Sequence, residues 1–522
     1  MEKQGKNLPR VLGLWDIISI VIGGVIGSGI FLVPKDIAAA VQVPLLILAV
    51  WVVGGLLSFF GALSFGELGA SMPEAGGAYV FLRESYGSMI AFLFGWTLFL
   101  VIDSGAIATL TVAFSSKYLT HFFPLSPFAQ KLVSFAFILF LVIVNYVGVR
   151  WGANLQNLLT IVKFSALIGI CGVIFIFAKG QASNFISPSP KSFSGSLLGS
   201  FGLALVASLW AYKGWESSTY SAGETKNPQR NLPLGLFIGT AACVAIYILA
   251  QLAYLYVFPA SAIAQSNRIA ADAMNLVVGP LGASIVSFVI LFSIMGATNQ
   301  NFLCSPRVYY AMAKDRVFFT GLAAVHPKFL TPHVSIIAMG VWSMILILFF
   351  GTFERLFTYV IFGQWIFFGL TVAAVFILRI KKPDLPRPYK TWGYPLTPII
   401  FILAALYISI NSLITQFGNA VAGLIIILMG LSPFMYWKVK RDKKAGLLDL
   451  IAFIAGLGVW DAGFLIIRKP FLEFVANWWD RIFHVSPNFS RWAFWFYAIL
   501  GLANFLIILG FLKLSGKKEA TS

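Results

Sequence analysis

The chain has 522 residues, of which 59% are hydrophobic, 16% aromatic and only 11% charged. A soluble globular protein carries about 25% charged residues, so a water-surrounded fold is excluded. The net charge of +18 does not mark a nucleic-acid binder, because most of the 37 Lys and Arg lie in short segments between apolar runs, where membrane-orientation signals fall. Runs of about 20 apolar residues, each enough to cross roughly 30 Å of hydrocarbon, recur from end to end. The expectation is an all-α polytopic membrane protein surrounded by a lipid bilayer. Cys171, Cys243 and Cys304 stand far apart in apolar segments and make neither a disulfide framework nor a metal site, so no metal and no cofactor is expected.

The first span, about 12–33, has no small-residue cleavage site after it and reads as retained. It contains Ile22-Gly23-Gly24-Val25-Ile26-Gly27-Ser28-Gly29-Ile30-Phe31. Each glycine weakens a helix by about 1 kcal/mol relative to alanine. A helix broken inside a bilayer exposes N–H and C=O groups that lipid cannot satisfy. One reading is a mid-membrane ligand site, with Gly27, Ser28 and Gly29 presenting their amides. The other is close helix packing through the small residues of Gly24-x-x-x-Ser28.

Spans follow at about 43–66, 87–116, 130–149 and 153–178. The third carries Asp103 deep in its apolar run, and the fifth carries Lys163 near its middle. An intramembrane lysine costs at least about 2.5–3.5 kcal/mol on insertion scales, so a partner or a function is the default inference. Lys163 either takes up and releases a proton during a cycle or stays charged as a structural tether.

The sixth span, about 200–222, is the second broken one. Leu209-Trp210-Ala211-Tyr212-Lys213-Gly214-Trp215-Glu216-Ser217-Ser218 interrupts it with Gly, Lys, Glu and two Ser. Breaks at corresponding positions of two halves point to a transporter built from inverted repeats. Spans one to five (about 12–178) would pair with spans six to ten (about 200–379), the latter completed by runs near 235–258, 281–311, 334–351 and 355–379. Spans near 398–417 and 420–437 close a core of residues 1–437. Residues 438–522 would add two more spans, near 447–467 and 493–512, and a cytoplasmic tail, giving about 14 in all. The even count and the basic inner segments place both termini in the cytoplasm of a multi-pass cell-membrane protein.

Five stretches carry a family resemblance. Gly27-Ser28-Gly29-Ile30-Phe31 and Gly223-Glu224-Thr225-Lys226-Asn227-Pro228-Gln229-Arg230-Asn231-Leu232-Pro233 resemble signatures of the amino acid–polyamine–organocation superfamily. Pro73-Glu74-Ala75-Gly76-Gly77-Ala78-Tyr79, Pro306-Arg307-Val308-Tyr309-Tyr310-Ala311-Met312-Ala313 and Lys382-Pro383-Asp384-Leu385-Pro386-Arg387-Pro388-Tyr389 are similar to its L-type amino acid transporter and serine/threonine exchanger branch. The resemblance runs from about Gly13 to Trp437; the last two spans exceed the usual twelve, although cationic amino acid transporters of the superfamily have fourteen.

The resemblance implies a LeuT-like 5+5 inverted repeat with discontinuous helices 1 and 6, and amino acid transport by alternating access. It implies that Gly27, Ser28 and Gly29 take the substrate carboxylate and that the carbonyls of Val25, Trp210, Ala211 and Lys213 take its ammonium. Trp210 matches the aromatic that closes over substrate in arginine–agmatine exchangers. Lys163 stands where sodium-coupled relatives hold a cation, which implies sodium-independent exchange or proton-coupled uptake. Relatives with a heavy-chain partner join it through a cysteine after span three; the segment 117–131 has none, so no disulfide-linked heavy chain is expected, and the chain would be a monomer or homo-oligomer.

Two residues pull the substrate reading in opposite directions. Lys213 departs from relatives, which usually have an apolar residue, Gly or Asp there. It could contact an acidic substrate side chain, or pair internally with Asp103 or Glu216. Glu216 matches an acidic residue in exchangers of cationic substrates and, with Asp103, would govern selectivity or gating.

Two other classes weigh less. A membrane-embedded enzyme needs His, Asp, Glu or Cys gathered at one depth, whereas His121, His326, His333 and His484 are scattered near loops. A transporter-fold sensor or scaffold without turnover stays open at this stage, because fold alone does not dictate function. Gly76-Gly77 lacks a P-loop lysine context, so the energy source would be a gradient.

Overall fold

Proline and glycine punctuate the apolar runs, and the helices begin and end accordingly. A computed structural model describes residues 8–186, 197–350, 353–415, 417–442, 449 and 451–460. Pro44, Pro127, Pro228, Pro280 and Pro306 each stand in the first helical turn, where a missing N–H costs nothing. Among the described residues the fold is helical, with one isolated backbone bridge, Leu12 to Thr225, and no strand.

Nine described helices are long and apolar enough to cross a bilayer, and a bent pair makes a tenth. The pair is the first span, Leu14–Val25 and Gly29–Val41, which meet at 42°. The second to fifth spans are Pro44–Ser71, Ser88–His121, Pro127–Val147 and Val149–Phe177. The sixth is not one helix: Leu197–Ala211 ends in a turn, and a 3₁₀ segment, Trp215–Glu224, continues it. The seventh is Pro228–Val257, and the eighth runs from Pro280 to Lys314 with an offset at Ser305. His333–Phe350, Phe353–Lys381, Leu396–Thr415 and a final pair, Phe417–Leu428 with Leu431–Asp442, follow. Of the two expected C-terminal spans, the one near 447–467 is described only at 449 and 451–460, and the one near 493–512 lies outside the described residues.

Surface and interior are inverted relative to a water-soluble protein. Leu139, Ile143, Leu158, Ile161, Ile168 and Ile176 are exposed along the fourth and fifth spans, a contiguous apolar surface suited to lipid. Asp16, Asp103, Lys163, Glu216, Glu224 and Arg307 are buried. Arg307, within the eighth run expected at about 281–311, lies in a helix and not in a loop. The eighth span continues past Ser305 and buries it, where its guanidinium donates to Glu224 at 2.6 and 3.2 Å.

The same end of the bundle is tied by backbone. The amides of Val11 and Leu12 donate to the Glu224 carbonyl at 2.8 and 2.9 Å, and the Lys226 amide donates to the Leu12 carbonyl at 2.8 Å. Arg83 bonds Asp315 at 2.7 Å and Glu84 at 2.9 Å, and Lys382 bonds Glu84 from the end of the tenth span. Around the two broken spans, Trp51, Tyr212 and Tyr247 form an aromatic cluster with ring centres 4.9–5.8 Å apart.

Candidate functional site

The two breaks lie against each other, and glycine permits the approach. Gly214 has φ +123°, and a Cβ there would come within 2.6 Å of the Gly24 carbonyl carbon. A Cβ on Gly29 would fall 2.8 Å from the Ala211 Cα. Any larger residue at either position forces the breaks apart. Both readings of the first glycine cluster therefore hold in part: the glycines pack closely, and they pack against the other break.

Between the breaks is a cavity. Val25, Gly27, Ser28 and Gly29 line it from the first span, and Trp210, Ala211 and Lys213 from the sixth. Thr109 of the third span and Gln300 of the eighth also line it. Seven of the residues singled out by sequence are thus brought to one surface; Asp103, Glu216 and Lys163 stand behind it.

The polar groups at the first break differ in what they hold. The Gly27 amide turns back to donate to the Val25 carbonyl at 2.9 Å. The same carbonyl accepts from the Tyr247 hydroxyl at 2.8 Å, so both its lone pairs are occupied. The Ser28 and Gly29 amides, at the start of the second half-helix, donate to no described residue. Such amides, with the positive end of the helix dipole, suit an anion. Three buried side-chain atoms of the lining, Ser28 Oγ, Thr109 Oγ1 and Gln300 Nε2, have no partner among the described residues. Sequence reasoning passed over Tyr247, Thr109 and Gln300, which are unremarkable members of apolar spans until the helices are packed.

Lys163 is buried beneath the first break. Its ammonium donates to the carbonyls of Gly23 at 2.5 Å, Ile26 at 2.7 Å and Ser293 at 3.5 Å. Gly23 and Ile26 end the first half-helix, whose last carbonyls carry partial negative charge. Ser293 Oγ adds hydrogen bonds to Ile26 and Gly27 at 3.0 and 2.9 Å.

Lys213 is paired with Asp103 at 3.2 Å, which selects between its two candidate partners. The other Asp103 oxygen accepts from Ser305 Oγ at 2.5 Å. Asp103 directly follows a π-helical turn, Leu98–Ile102, a local widening of the helix that recurs at functional sites. Glu216 makes other contacts: it accepts from the Gly214 amide at 3.0 Å and from Gln364 at 3.1 Å. It thereby caps the 3₁₀ segment that follows the break.

Membrane-length helices with an apolar exterior and a polar, twice-broken interior define a polytopic membrane protein whose cavity lies among its spans. Residues 12–432 match the amino acid permease family, and the chain belongs to it. It is 34% identical over 423 residues to the b(0,+)-type amino acid transporter 1 of Mus musculus, covering 80% of this chain and 85% of the relative. It is 32% identical to the serine/threonine exchanger SteT of Bacillus subtilis (strain 168), covering 85% of this chain and all of the relative. It is also 32% identical to the human cystine/glutamate transporter, over 84% and 87% of the two chains. The relatives are amino acid transporters and exchangers.

Proposed function

We propose that this protein carries amino acids across the cell membrane by alternating access, without sodium, as an exchanger or a proton-coupled carrier. The observation that carries the reading is the cavity between the two breaks, with the unpartnered amides of Ser28 and Gly29 on one side. An amino acid's carboxylate takes those amides. Its ammonium goes to the carbonyls of Trp210, Ala211 and Lys213, because Val25 has no lone pair left. Breaks in the first and sixth spans support a LeuT-like 5+5 inverted repeat whose halves rock about this site.

Lys163 supports sodium independence, since its ammonium already satisfies the carbonyls that a metal cation would need. The basic end of the bundle, with Arg83, Lys382 and the bridge at Leu12, is assigned to the cytoplasm by the positive-inside rule. Glu216 and Asp103 support the lining from behind and do not touch the substrate. The burial of Cys171, Cys243 and Cys304 supports a chain without a disulfide-linked partner.

Uptake of labelled amino acids into proteoliposomes containing the purified protein tests the reading. Uptake accelerated by unlabelled amino acid inside, and indifferent to replacement of sodium by choline, is expected. Binding without flux, or uptake that needs sodium, would overturn it.

A further inference from the structure

We propose that the cavity selects amino acids with an anionic side chain, and that Lys213 is the residue that sets this preference. The inference rests on the transport reading above and adds the substrate class. Its first support is the chemistry of the wall. Lys213, Thr109 and Gln300 line the cavity, and no carboxylate lines it among the described residues. The nearest acids are turned away: Asp103 holds Lys213 and Ser305, and Glu216 holds Gly214 and Gln364.

The second support is unmet hydrogen bonding. Thr109 Oγ1 and Gln300 Nε2 are buried in residues no more than 3% exposed, and neither has a partner among the described residues. Buried polar groups are ordinarily satisfied, so an orphaned hydroxyl and an orphaned N–H donor on one cavity wall point to a ligand that supplies oxygen. The α-carboxylate is already provided for by the half-helix amides. In this proposal Thr109 and Gln300 are assigned to the side chain of the substrate.

The third support is how Lys213 is held. Lys213 lines the cavity with a side chain 13% exposed, while Asp103, 1% exposed, lies outside the lining and holds the Lys213 ammonium at 3.2 Å. Among the described residues Asp103 is the single salt-bridge partner of Lys213, and an ammonium has three donors. A side-chain carboxylate in the cavity lies closer to the ammonium than to Asp103 and is attracted; a cationic side chain in the same place is repelled. Asp103 fixes the lysine without cancelling its field at short range.

Thermal unfolding of the purified full-length protein, titrated with L-aspartate, L-glutamate, L-glutamine, L-alanine and L-lysine, tests this. A ligand bound only by the folded state raises the melting temperature according to its dissociation constant. Aspartate or glutamate is expected to bind at least about tenfold more tightly than alanine, with lysine weakest, a factor that corresponds to one close unscreened charge contact. The variant Lys213→Gln/Asp103→Asn, which leaves neither charge unpaired, is expected to lower the acidic-to-neutral affinity ratio about tenfold. Equal or tighter binding of alanine or lysine by the unmodified protein would overturn the proposal and leave the transport reading standing. So would an unchanged ratio in the double variant. Stabilisation by no amino acid at all would overturn both. The titration of the unmodified protein decides the question even if the double variant does not fold.

Discussion

Two lysines lie deep among the membrane-length helices, and the protein neutralises them in opposite ways. Lys163 is given backbone carbonyls at the end of a broken half-helix; Lys213 is given the carboxylate of Asp103. The first arrangement welds the fifth span to the first, because the ammonium replaces the hydrogen-bond donors that the helix lost when it broke. The second leaves the ammonium facing a cavity. On the reading proposed above, the cation held by backbone dipoles is structural and the one held by a single buried acid is available to a ligand as well. Insertion costs alone do not separate these cases, since both lysines are equally anomalous in an apolar run.

Three comparisons of variants break or sharpen the contrast. Lys163→Met removes the donor from the Gly23 and Ile26 carbonyls and is expected to cost about 3 kcal/mol, the scale of lost charge-assisted hydrogen bonds in a buried site. Thermal unfolding should show the largest loss here, with transport abolished and not restored by sodium. A Lys163→Met protein as stable as the unmodified one would show that the lysine is no weld.

Asp103→Asn leaves a partly exposed ammonium without its counter-charge and is expected to cost about 2 kcal/mol, the scale of one hydrogen bond between charged groups. Adding Lys213→Gln should return at least half of that loss, because the remaining pair is neutral. Equal destabilisation in single and double variants would show that the two charges are not coupled.

The smallest effect comes from an ion pair outside the spans, which serves as a reference for the two inside. Burial pushes the Glu84 carboxyl up, but hydrogen bonds from Lys382 and Arg83 outweigh it and hold the group below its ordinary value. A depressed carboxyl contributes stability above its unfolded value, and that contribution is lost as pH falls through the lower, folded one. Comparison of the unmodified protein with Glu84→Gln should show a small stabilisation at neutral pH that disappears as the pH falls below about 4. An advantage that persists in acid would remove the ion pair as its source.

The bilayer made much of this site readable in the sequence. Glycine clusters and charged residues are conspicuous where lipid favours Leu and Val, so both breaks, Lys163, Lys213 and Asp103 stood out before any helix was placed. The groups that complete the cavity did not. Tyr247, Thr109 and Gln300 are tolerated anywhere in a buried span, and only packing brings them to the breaks. The role of Arg307 is hidden for a related reason: a basic residue near a span's end resembles a loop cation until its helix continues and its acid, Glu224, arrives from a distant span. The choice of Asp103 over Glu216 as the partner of Lys213 was likewise beyond sequence, since both acids were within plausible reach and the Gly214 amide claims Glu216.

The bridge between Leu12 and Thr225 has a mechanical meaning of its own. It joins the lead-in to the first half-helix with the far end of the sixth span through amides and carbonyls, without recourse to any side chain. An alanine scan passes over such a clasp, because every substitution preserves it. Proline, which deletes the amide, weakens it, and at Lys226 a single proline removes the one hydrogen bond donated from the sixth-span side while the two to the Glu224 carbonyl remain. The clasp ties the start of the first broken span to the end of the sixth by backbone alone.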